Sequence, residues 1–472
     1  IFWWIPKDKQ SCLTRRRNQI QAKRKLAALL LSGFFYAEKE IARYLKLLMG
    51  REEKIPEAQI LEKIQQFERE HQMQFSENQR RAVSEAVRRG LVVITGGPGT
   101  GKTTIINCIL WLLGKDVLLA APTGRAAKRM SEATGHEAKT LHRLLEFAGD
   151  EGHFQRDEQN PLDCGCVIVD EMSMVDVFLM RSLLVALKPG TKLILVGDAD
   201  QLPSVGAGNV LGDILKSGVV PSVRLTDIFR QSEESLIVLN AHRINHGEPP
   251  ILNRRDSDFF FERRPVPDEA AQAIVGLCAR RLPVFLHSDA PARDIQVLAP
   301  TKKSGAGVYQ LNALLQAALN PPAPWKKEIA YGETVFRTGD KVMHIRNNYQ
   351  LPWKADGGEE GEGVFNGDVG FVSAVDNQDR IVTVRFDDER TVEYDYQQLE
   401  ELELAYCLSV HKSQGSEFPC VVMPVLGGPP RLLTRNLFYT ALTRARKLVV
   451  LVGREDAIAD MVRNNHIATR YT

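Results

Sequence analysis

A glycine-rich segment, Gly96–Thr104 (GGPGTGKTT), constrains the fold of this 472-residue chain more than any other feature. It contains the pattern G-x4-G-K-T and lies between a β-branched run at residues 91–95 and a helix-length apolar run at residues 105–113. In such a loop successive backbone N–H groups wrap around phosphates, and a Cβ at the glycine positions would obstruct the wrap. The N-terminus of the following helix adds partial positive charge. The segment therefore predicts the phosphate-binding loop of an α/β fold, in which Lys102 reaches the β- and γ-phosphates and the Thr103 hydroxyl binds Mg²⁺.

Two further predicted strands end in the polar residues that a phosphate-binding loop needs beside it. The apolar residues 166–169 lead directly into Asp170 and Glu171. We predict that Asp170 holds Mg²⁺ through water and that Glu171 is the base that deprotonates the attacking water. A carboxylate beside the metal ligand is expected where water is the nucleophile, so this pair favours ATP hydrolysis. Residues 192–196 lead to Gln201, which we predict to hydrogen-bond the γ-phosphate or the lytic water.

Composition excludes several classes of protein. Hydrophobic residues make up 44% of the chain and charged residues 25%, which excludes a disordered chain and a collagen-like fibre. The formal net charge of +2 does not by itself predict a nucleic-acid partner, although a local basic groove still binds one. No apolar run reaches about 18 residues, so the sequence predicts no membrane-spanning helix. The seven cysteines form no C-x-x-C pair, which favours reduced thiols and a cytoplasmic protein.

The spacing of apolar residues changes along the chain. Residues 1–72 show helical spacing and predict a small helical region, whose basic cluster at 15–25 is either a DNA contact or a solvated helix face. From about residue 75, β-branched runs alternate with amphipathic stretches, which predicts parallel sheets with helices on both faces. Short alternating runs within 333–401 predict a small inserted β-barrel with a mobile loop at 354–362. The predicted strands of the sheets are 91–95, 117–121, 167–169, 192–196, 295–298, 421–425 and 447–452.

Five motifs follow the phosphate loop in order: DEMSM (170–174), GDADQLPSVGAG (197–208), LTDIFRQ (225–231), HKSQGSEF (411–418) and YTALTRAR (439–446). With that loop they resemble the superfamily 1 helicases, most closely the stand-alone, RecD-type branch of superfamily 1B, over about residues 75–455. The resemblance implies an ATP-dependent DNA helicase that acts as a monomer, moves 5′ to 3′ along single-stranded DNA and unwinds duplex junctions in repair or recombination, with repair proteins as candidate partners. It also implies two RecA-like motor domains, at 73–232 and at 233–332 with 402–472, and an SH3-like barrel at 333–401.

The resemblance assigns further residues to the nucleotide. Gln79 matches the glutamine that reads adenine at N6 and N7. Arg230 and Arg444 match two arginines that reach the γ-phosphate, the second from the other motor domain, so that domain closure depends on ATP. Glu417 matches an acidic residue that contacts ribose. The nucleotide-binding residues are thus Gln79, Gly97, Pro98, Gly99, Thr100, Gly101, Lys102, Thr103, Thr104 and Glu417, and the catalytic residues are Lys102, Glu171, Gln201, Arg230 and Arg444.

The resemblance also implies a track for single-stranded DNA that crosses both motor domains. The segment APTGR after the second strand is echoed by APTK in the second domain, as expected where two similar domains grip one strand. Residues 147–161 match the position of a β-hairpin pin with Phe154 at its tip; the alternative is a plain surface loop. Residues 366–368 (NGD) match a turn of the barrel, which leans on the DNA. The predicted DNA-binding residues are Pro122, Thr123, Gly124, Arg125, Thr140, His142, Pro300, Thr301, Lys302, Ser409, His411 and Lys412.

Three alternatives remain open at the level of the sequence. One is a RecD subunit of a multi-subunit helicase-nuclease, although no nuclease-like metal cluster is present in the sequence. Another is a nucleotide-dependent switch that clamps DNA without moving, which would need neither arginine nor pin. A third is an RNA helicase, because a 2′-hydroxyl preference cannot be read from these motifs. The chain opens with Ile1, so we expect its true start to be missing.

Overall fold

The computed structural model describes residues 33–148, 152–227, 235–254 and 257–466, and within them two fully parallel sheets dominate. This arrangement confirms the predicted α/β class, and every strand predicted for the sheets is present with its limits shifted by a few residues at most. In spatial order the first sheet consists of Ala138–Thr140, Val117–Ala121, Cys166–Val169, Lys192–Gly197, Leu91–Gly96 and Ser222–Leu225. The second consists of Cys407–Ser409, Ile295–Ala299, Phe418–Val425, Ala445–Gly453 and Phe259–Arg263.

Each parallel sheet is buried on both faces, which explains its nearly continuous apolar strands. In the strand Leu91–Gly96, Val92 and Ile94 face one helical layer while Leu91 and Val93 face the other. The helices around the first sheet are 33–49, Glu57–Glu70, Glu77–Arg88, Lys102–Leu113, Gly124–Thr134, Leu141–Leu144, Val177–Val185 and Val210–Ser217. Those around the second sheet are Leu236–Asn245, Pro267–Gly276, the π-helix Leu277–Arg281, Leu282–Leu286, Pro291–Asp294, Val308–Leu319, Arg435–Leu442 and Glu455–Arg463.

The N-terminal helices pack on the first sheet. Helix 33–49 buries Ile41 and Leu45 in one of the two cores of that sheet, whereas Glu57–Glu70 buries its apolar residues in the other. The predicted helical spacing is therefore confirmed for this part of the region, while the basic cluster at 15–25 lies outside the described residues. No helix in the described part of the chain has the length and apolarity needed to cross a membrane.

The predicted β-barrel is a seven-stranded antiparallel sheet with its own apolar core. The prediction of a mobile loop at 354–362 is wrong, because Asn348–Ala355 and Glu360–Val364 form a β-hairpin joined by a short turn. In spatial order the strands are Glu360–Val364, Asn348–Ala355, Arg390–Tyr394, Ile381–Phe386, Val369–Asp376, Lys341–His344 and Leu402–Leu404. A separate hairpin, Glu328–Tyr331 with Thr334–Arg337, precedes them.

Each parallel sheet with its helices forms one α/β unit, called the first and the second unit. A buried carboxylate, Asp340, attaches the barrel to the second unit. It is fully buried and accepts hydrogen bonds from Gln316 Nε2 at 2.6 Å, Asn320 Nδ2 at 2.7 Å and the Tyr406 hydroxyl at 3.0 Å. Burial raises the pKa of Asp340, although these hydrogen bonds oppose the rise. Because its partners belong to the second unit and Asp340 itself precedes the strand Lys341–His344, the network fixes where the barrel begins.

Replacing Asp340 with Ala is expected to lower the free energy of unfolding by about 3 kcal/mol, because it leaves several buried donors without an acceptor. Chemical denaturation would measure the change. Asp376→Ala is the matched control, since Asp376 is an exposed carboxylate in the same barrel that accepts hydrogen bonds from the nearby backbone N–H groups of Gln378 and Asp379, and it should cost about 0.5 kcal/mol. Equal losses for both variants would contradict the role given to the network.

Candidate active site and nucleic-acid interface

The phosphate loop joins the buried strand Leu91–Gly96 to the helix Lys102–Leu113, as predicted. Gly99 and Gly101 have φ angles of 71° and 79°, left-handed values that are strained for any residue with a Cβ. They turn the chain so that it enters the helix with its N–H groups exposed at the loop. Thr103 lies in the first turn with an exposed side chain. The backbone therefore has the form that a phosphate-binding loop requires.

The side chains of the loop are tied to its own backbone. Lys102 Nζ donates to the carbonyl oxygens of Gly96 at 2.7 Å and Gly97 at 2.9 Å, and the Thr100 hydroxyl donates to Gly97 at 2.8 Å. A Cβ on Gly97 would lie 2.9 Å from the Tyr439 hydroxyl of the second unit. The loop is thus in close contact with the part of the chain that carries the YTALTRAR motif.

The two predicted carboxylates lie where the strand Cys166–Val169 ends. Burial raises the pKa of Asp170, and the neighbouring charge of Glu171 raises it further. Burial alone would also raise the pKa of Glu171, but the positive charges of Arg129 and Arg444 outweigh it and lower this pKa. Arg129 Nη2 donates to Glu171 Oε1 at 2.7 Å, and Arg444 Nη1 lies 3.9 Å from the same oxygen. The buried Glu171 therefore stays ionised between two guanidinium groups.

Arg444 crosses from the second unit to the first. Its Nη2 donates to Gln201 Oε1 at 2.8 Å and its Nη1 to the Ser416 carbonyl at 3.2 Å. Gln201 Nε2 in turn donates to Asp198 at 3.1 Å, and Asp198 accepts a hydrogen bond from the Tyr439 hydroxyl at 2.8 Å. The structure thus brings the predicted residues Glu171, Gln201 and Arg444 into one buried cluster.

Gln79 is buried rather than a surface residue, and both ends of its amide are engaged. Its Oε1 accepts from the Ser76 backbone N–H at 2.9 Å in a capping box, and its Nε2 donates to the Thr100 carbonyl at 2.9 Å. The side chain therefore supports the phosphate loop from behind. Adenine recognition by Gln79 stays a prediction, and it requires these hydrogen bonds to rearrange.

The carboxylate of Glu417 is also engaged, by Arg129 at Oε1 and by Arg446 at Oε2, and these charges lower its pKa against the effect of burial. Ribose contact by Glu417 stays a prediction. The predicted γ-phosphate residue Arg230 lies outside the described residues.

Several residues of the cluster were missed by sequence reasoning. Asp198 lies in the motif at 197–208 close to Gln201, and Tyr439 lies in the motif at 439–446 close to Arg444. That closeness in sequence could have identified both as residues of the site. His242 lies outside every motif, in the helix Leu236–Asn245, so the sequence did not point to it, yet a Cβ on Gly97 would lie 3.5 Å from its ring. Burial lowers the pKa of His242, and its Nε2 has no hydrogen-bond partner among the described residues.

The predicted DNA-binding residues follow corresponding strands of the two sheets. At the edge of the first sheet Ala121 pairs with Thr140, and at the edge of the second Ala299 pairs with Ser409. Each pairing brings two predicted segments side by side at the carboxyl end of parallel strands, where ligands bind in such folds. The segments joined in this way are Pro122, Thr123, Gly124 and Arg125 with Thr140, and Pro300, Thr301 and Lys302 with Ser409.

Some of these side chains have local structural roles. The Thr123 hydroxyl caps the helix Gly124–Thr134, and the Thr140 hydroxyl caps the next short helix. Lys412 Nζ donates to Glu403 at 2.6 Å. Arg125 donates to the Ser416 hydroxyl and to the Asp387 carboxylate of the barrel, both at 3.1 Å. The exposed members of the set are Lys302 and His411.

The hairpin predicted within 147–161 is present, but the placement of Phe154 at its tip is wrong. Phe147–Ala148 pairs with His153–Phe154, and Phe154 stands directly opposite Phe147 at the base of the hairpin. Its ring lies 5.0 Å from that of Phe147 and 5.6 Å from that of His142. The aromatic side chain is held there by apolar packing against the first unit.

Comparison with known proteins gives three matching family models. Residues 79–207 match an AAA domain, residues 311–386 the ATP-dependent RecD-like DNA helicase SH3 domain, and residues 404–452 the UvrD-like helicase C-terminal domain. The ATP-dependent RecD2 DNA helicase of Deinococcus radiodurans is 37% identical over 385 residues, 81% of this chain and 49% of that protein. The RecBCD enzyme subunit RecD of Mycobacterium tuberculosis is 33% identical over 423 residues, 81% of this chain and 70% of that protein.

This chain therefore spans about half the length of the Deinococcus relative. Among solved structures, a Bacteroides Pif1 helicase in complex with ADP-AlF3 and single-stranded DNA is 21% identical, with a TM-score of 0.47 over 82% of this chain and 94% of that one.

Proposed function

The chain belongs to the RecD-like family of superfamily 1 helicases, and on that premise we propose that it is an ATP-driven motor that moves along single-stranded DNA and separates the duplex ahead of it. Residues 73–232 form the first motor domain, and residues 233–332 with 402–472 form the second. Residues 333–401 form the barrel that leans on the DNA, and the strand Leu402–Leu404 completes its sheet before the chain returns to the second motor domain. The motor acts as a monomer in DNA repair or recombination, with 5′ to 3′ movement.

The contact of Arg444 with Glu171 and Gln201 is the observation that supports this proposal most. An arginine of the second unit lies beside two residues of the first unit that we propose to act in hydrolysis, which supports a hydrolysis step that depends on how the two units are arranged. Arg444 is buried, and its Nε has no hydrogen-bond partner in the described part of the chain. The Nε–H group of Arg444 can therefore donate to a phosphate oxygen, which gains negative charge as the bond to the γ-phosphate breaks. A DNA clamp that never moves has no need of such an arginine.

The residues of the first unit fit Mg·ATP. Gly99 and Gly101 give the loop the left-handed turns with which successive N–H groups surround phosphates, and the exposed Thr103 stands at the helix N-terminus. Mg²⁺, when bound, neutralises phosphate charge and orients the phosphates. Thr103 and Asp170 would hold it, Lys102 would leave its loop carbonyls for the phosphates, and Glu171 would accept the proton of the attacking water. Gln201 would transmit the state of the γ-phosphate to Arg444.

We propose a strand-displacement experiment as the test. Purified protein is given ATP and DNA duplexes with a single-stranded tail at either the 5′ or the 3′ end. We expect unwinding from the 5′ tail alone. Lys102→Ala is the control: it should unwind neither duplex yet bind single-stranded DNA with wild-type affinity, because its amino group lies on the phosphate loop and not on the proposed DNA track.

Each outcome of that experiment is informative. Unwinding from the 3′ tail alone would contradict the direction while supporting a helicase. Hydrolysis of ATP without opening of either duplex would contradict the helicase and favour a nucleotide-dependent switch. Loss of DNA affinity in a folded Lys102→Ala protein would contradict the separation of the two sites.

A further inference from the structure

One arginine, Arg129, binds carboxylates from both motor domains at once. Its Nη2 donates to Glu171 Oε1 at 2.7 Å, and its Nη1 binds Glu417 Oε1. Glu171 is the proposed base in the first domain, whereas Glu417 belongs to the second. Arg129 is about three-quarters buried and Glu171 nearly fully buried, so solvent screens this ion pair little.

The helix that carries Arg129 begins in the proposed DNA track. Arg125 lies one turn earlier in Gly124–Thr134, so both arginines project from the same side of the helix. Arg125 donates to the Ser416 hydroxyl, next to the Glu417 that Arg129 binds. One loop of the second domain, 415–417, therefore receives both arginines of this helix.

The packing of that loop against the helix is tight. A Cβ on Gly415 would lie 2.6 Å from the hydroxyl of Thr123, the residue that caps the helix. A shift of the helix N-terminus would consequently displace the loop, and a shift of the loop would displace Arg129, which binds Glu417 of that loop. A DNA phosphate that attracts Arg125 competes with Ser416 and Asp387 for the same guanidinium. Such competition would loosen the contacts of Arg125 with the second domain. Arg129, one helical turn away on the same rigid helix, binds the proposed base Glu171.

The ion pair is unfavourable for hydrolysis. A general base must take up a proton from the attacking water, whereas Arg129 binds one of the two oxygens of Glu171, Arg444 approaches the same oxygen, and their positive charges lower the pKa of the carboxyl group and so weaken it as a base. We propose that Arg129 restrains Glu171 in an inactive ion pair while DNA is absent, and that single-stranded DNA at Arg125 releases it. Arg129 is then a positioning residue that makes hydrolysis depend on DNA. This inference rests on the proposed function.

The test is ATP hydrolysis by the wild type and by Arg129→Gln, each with and without oligo-dT. We expect the DNA-free rate of the variant to rise at least fivefold and its stimulation by DNA to fall by at least the same factor. Disruption of structure alone would lower the DNA-free rate, so a gain identifies release of the base. Lys128→Gln is the matched control, since Lys128 donates to the Asp387 carbonyl of the barrel, and its DNA-free rate should not rise.

Arg129→Lys provides a second measurement, including the case in which the Gln variant fails to fold. A single ammonium cannot bind both carboxylates in the manner of a guanidinium, so its DNA-free rate should lie between those of the wild type and Arg129→Gln. DNA-free rates that stay at or below the wild-type value in these variants would overturn the inference and leave the helicase proposal standing. A wild-type protein that hydrolyses no ATP under either condition would overturn both.

Discussion

Glu171→Gln is expected to slow ATP hydrolysis by about 10²–10⁴-fold, because it removes the proposed base while keeping the shape of the side chain. The amide oxygen still accepts from Arg129, so the fold and the nucleotide pocket should persist. Equilibrium binding of a fluorescent ATP analogue should therefore change little. Single-turnover hydrolysis with DNA present is the measurement, since it isolates the chemical step from product release.

Glu132→Gln is the control for this variant. Glu132 is an exposed carboxylate on the same helix as Arg129, and its neutralisation should leave hydrolysis within about twofold of the wild type. Ordinary turnover in Glu171→Gln would remove Glu171 as the base. Loss of nucleotide binding would mean that its charge holds the pocket together.

The strand ends were predictable because their chemistry is local. The segment Gly96–Thr104 specifies its own backbone path through its glycines, and Asp170 and Glu171 follow an apolar strand whose end must meet the phosphate loop at one edge of the sheet. Side-chain partners were harder to predict. The contact of Arg129 with Glu171 and Glu417 joins three segments far apart in sequence and depends on rotamers that no local pattern specifies.

The barrel shows how composition misleads. The glycines and acidic residues of 354–362 are typical of a mobile loop, yet Trp353 pairs with Gly361 and Lys354 with Glu360 across a hairpin. A Cβ on Gly361 would lie 2.5 Å from the Trp353 ring, so this glycine makes room for an aromatic side chain rather than conferring mobility. For Phe154 the error ran in the other direction, because the predicted exposed residue is packed against its neighbours. An exposed tip was predicted for an aromatic residue that the first unit's own His142 and Phe147 hold at the base.

Arg444→Ala should have the largest effect of all, about 10³–10⁵-fold on DNA-stimulated ATP hydrolysis, the range found when an arginine finger is removed. The reason is geometric: Arg444 is buried among Gln201, Ser416 and Glu171, and water cannot replace its fixed positive charge at the transferred phosphoryl group. Arg444→Lys should be nearly as slow, because one ammonium cannot reach two acceptors and the phosphate together.

Arg446→Ala supplies the matched control for Arg444. It removes an arginine two residues later that is about half exposed and binds Glu417, so hydrolysis should fall less than about tenfold. Single-turnover rates and binding of a fluorescent ATP analogue, measured side by side, separate the two expectations: Arg444 variants should bind the analogue and fail to hydrolyse ATP. Hydrolysis by Arg444→Ala within tenfold of the wild type would show that the second domain does not act on the phosphate through this residue. Movement would then have to depend on another contact between the motor domains, with the buried hydrogen bond from Tyr439 to Asp198 the next to be tested.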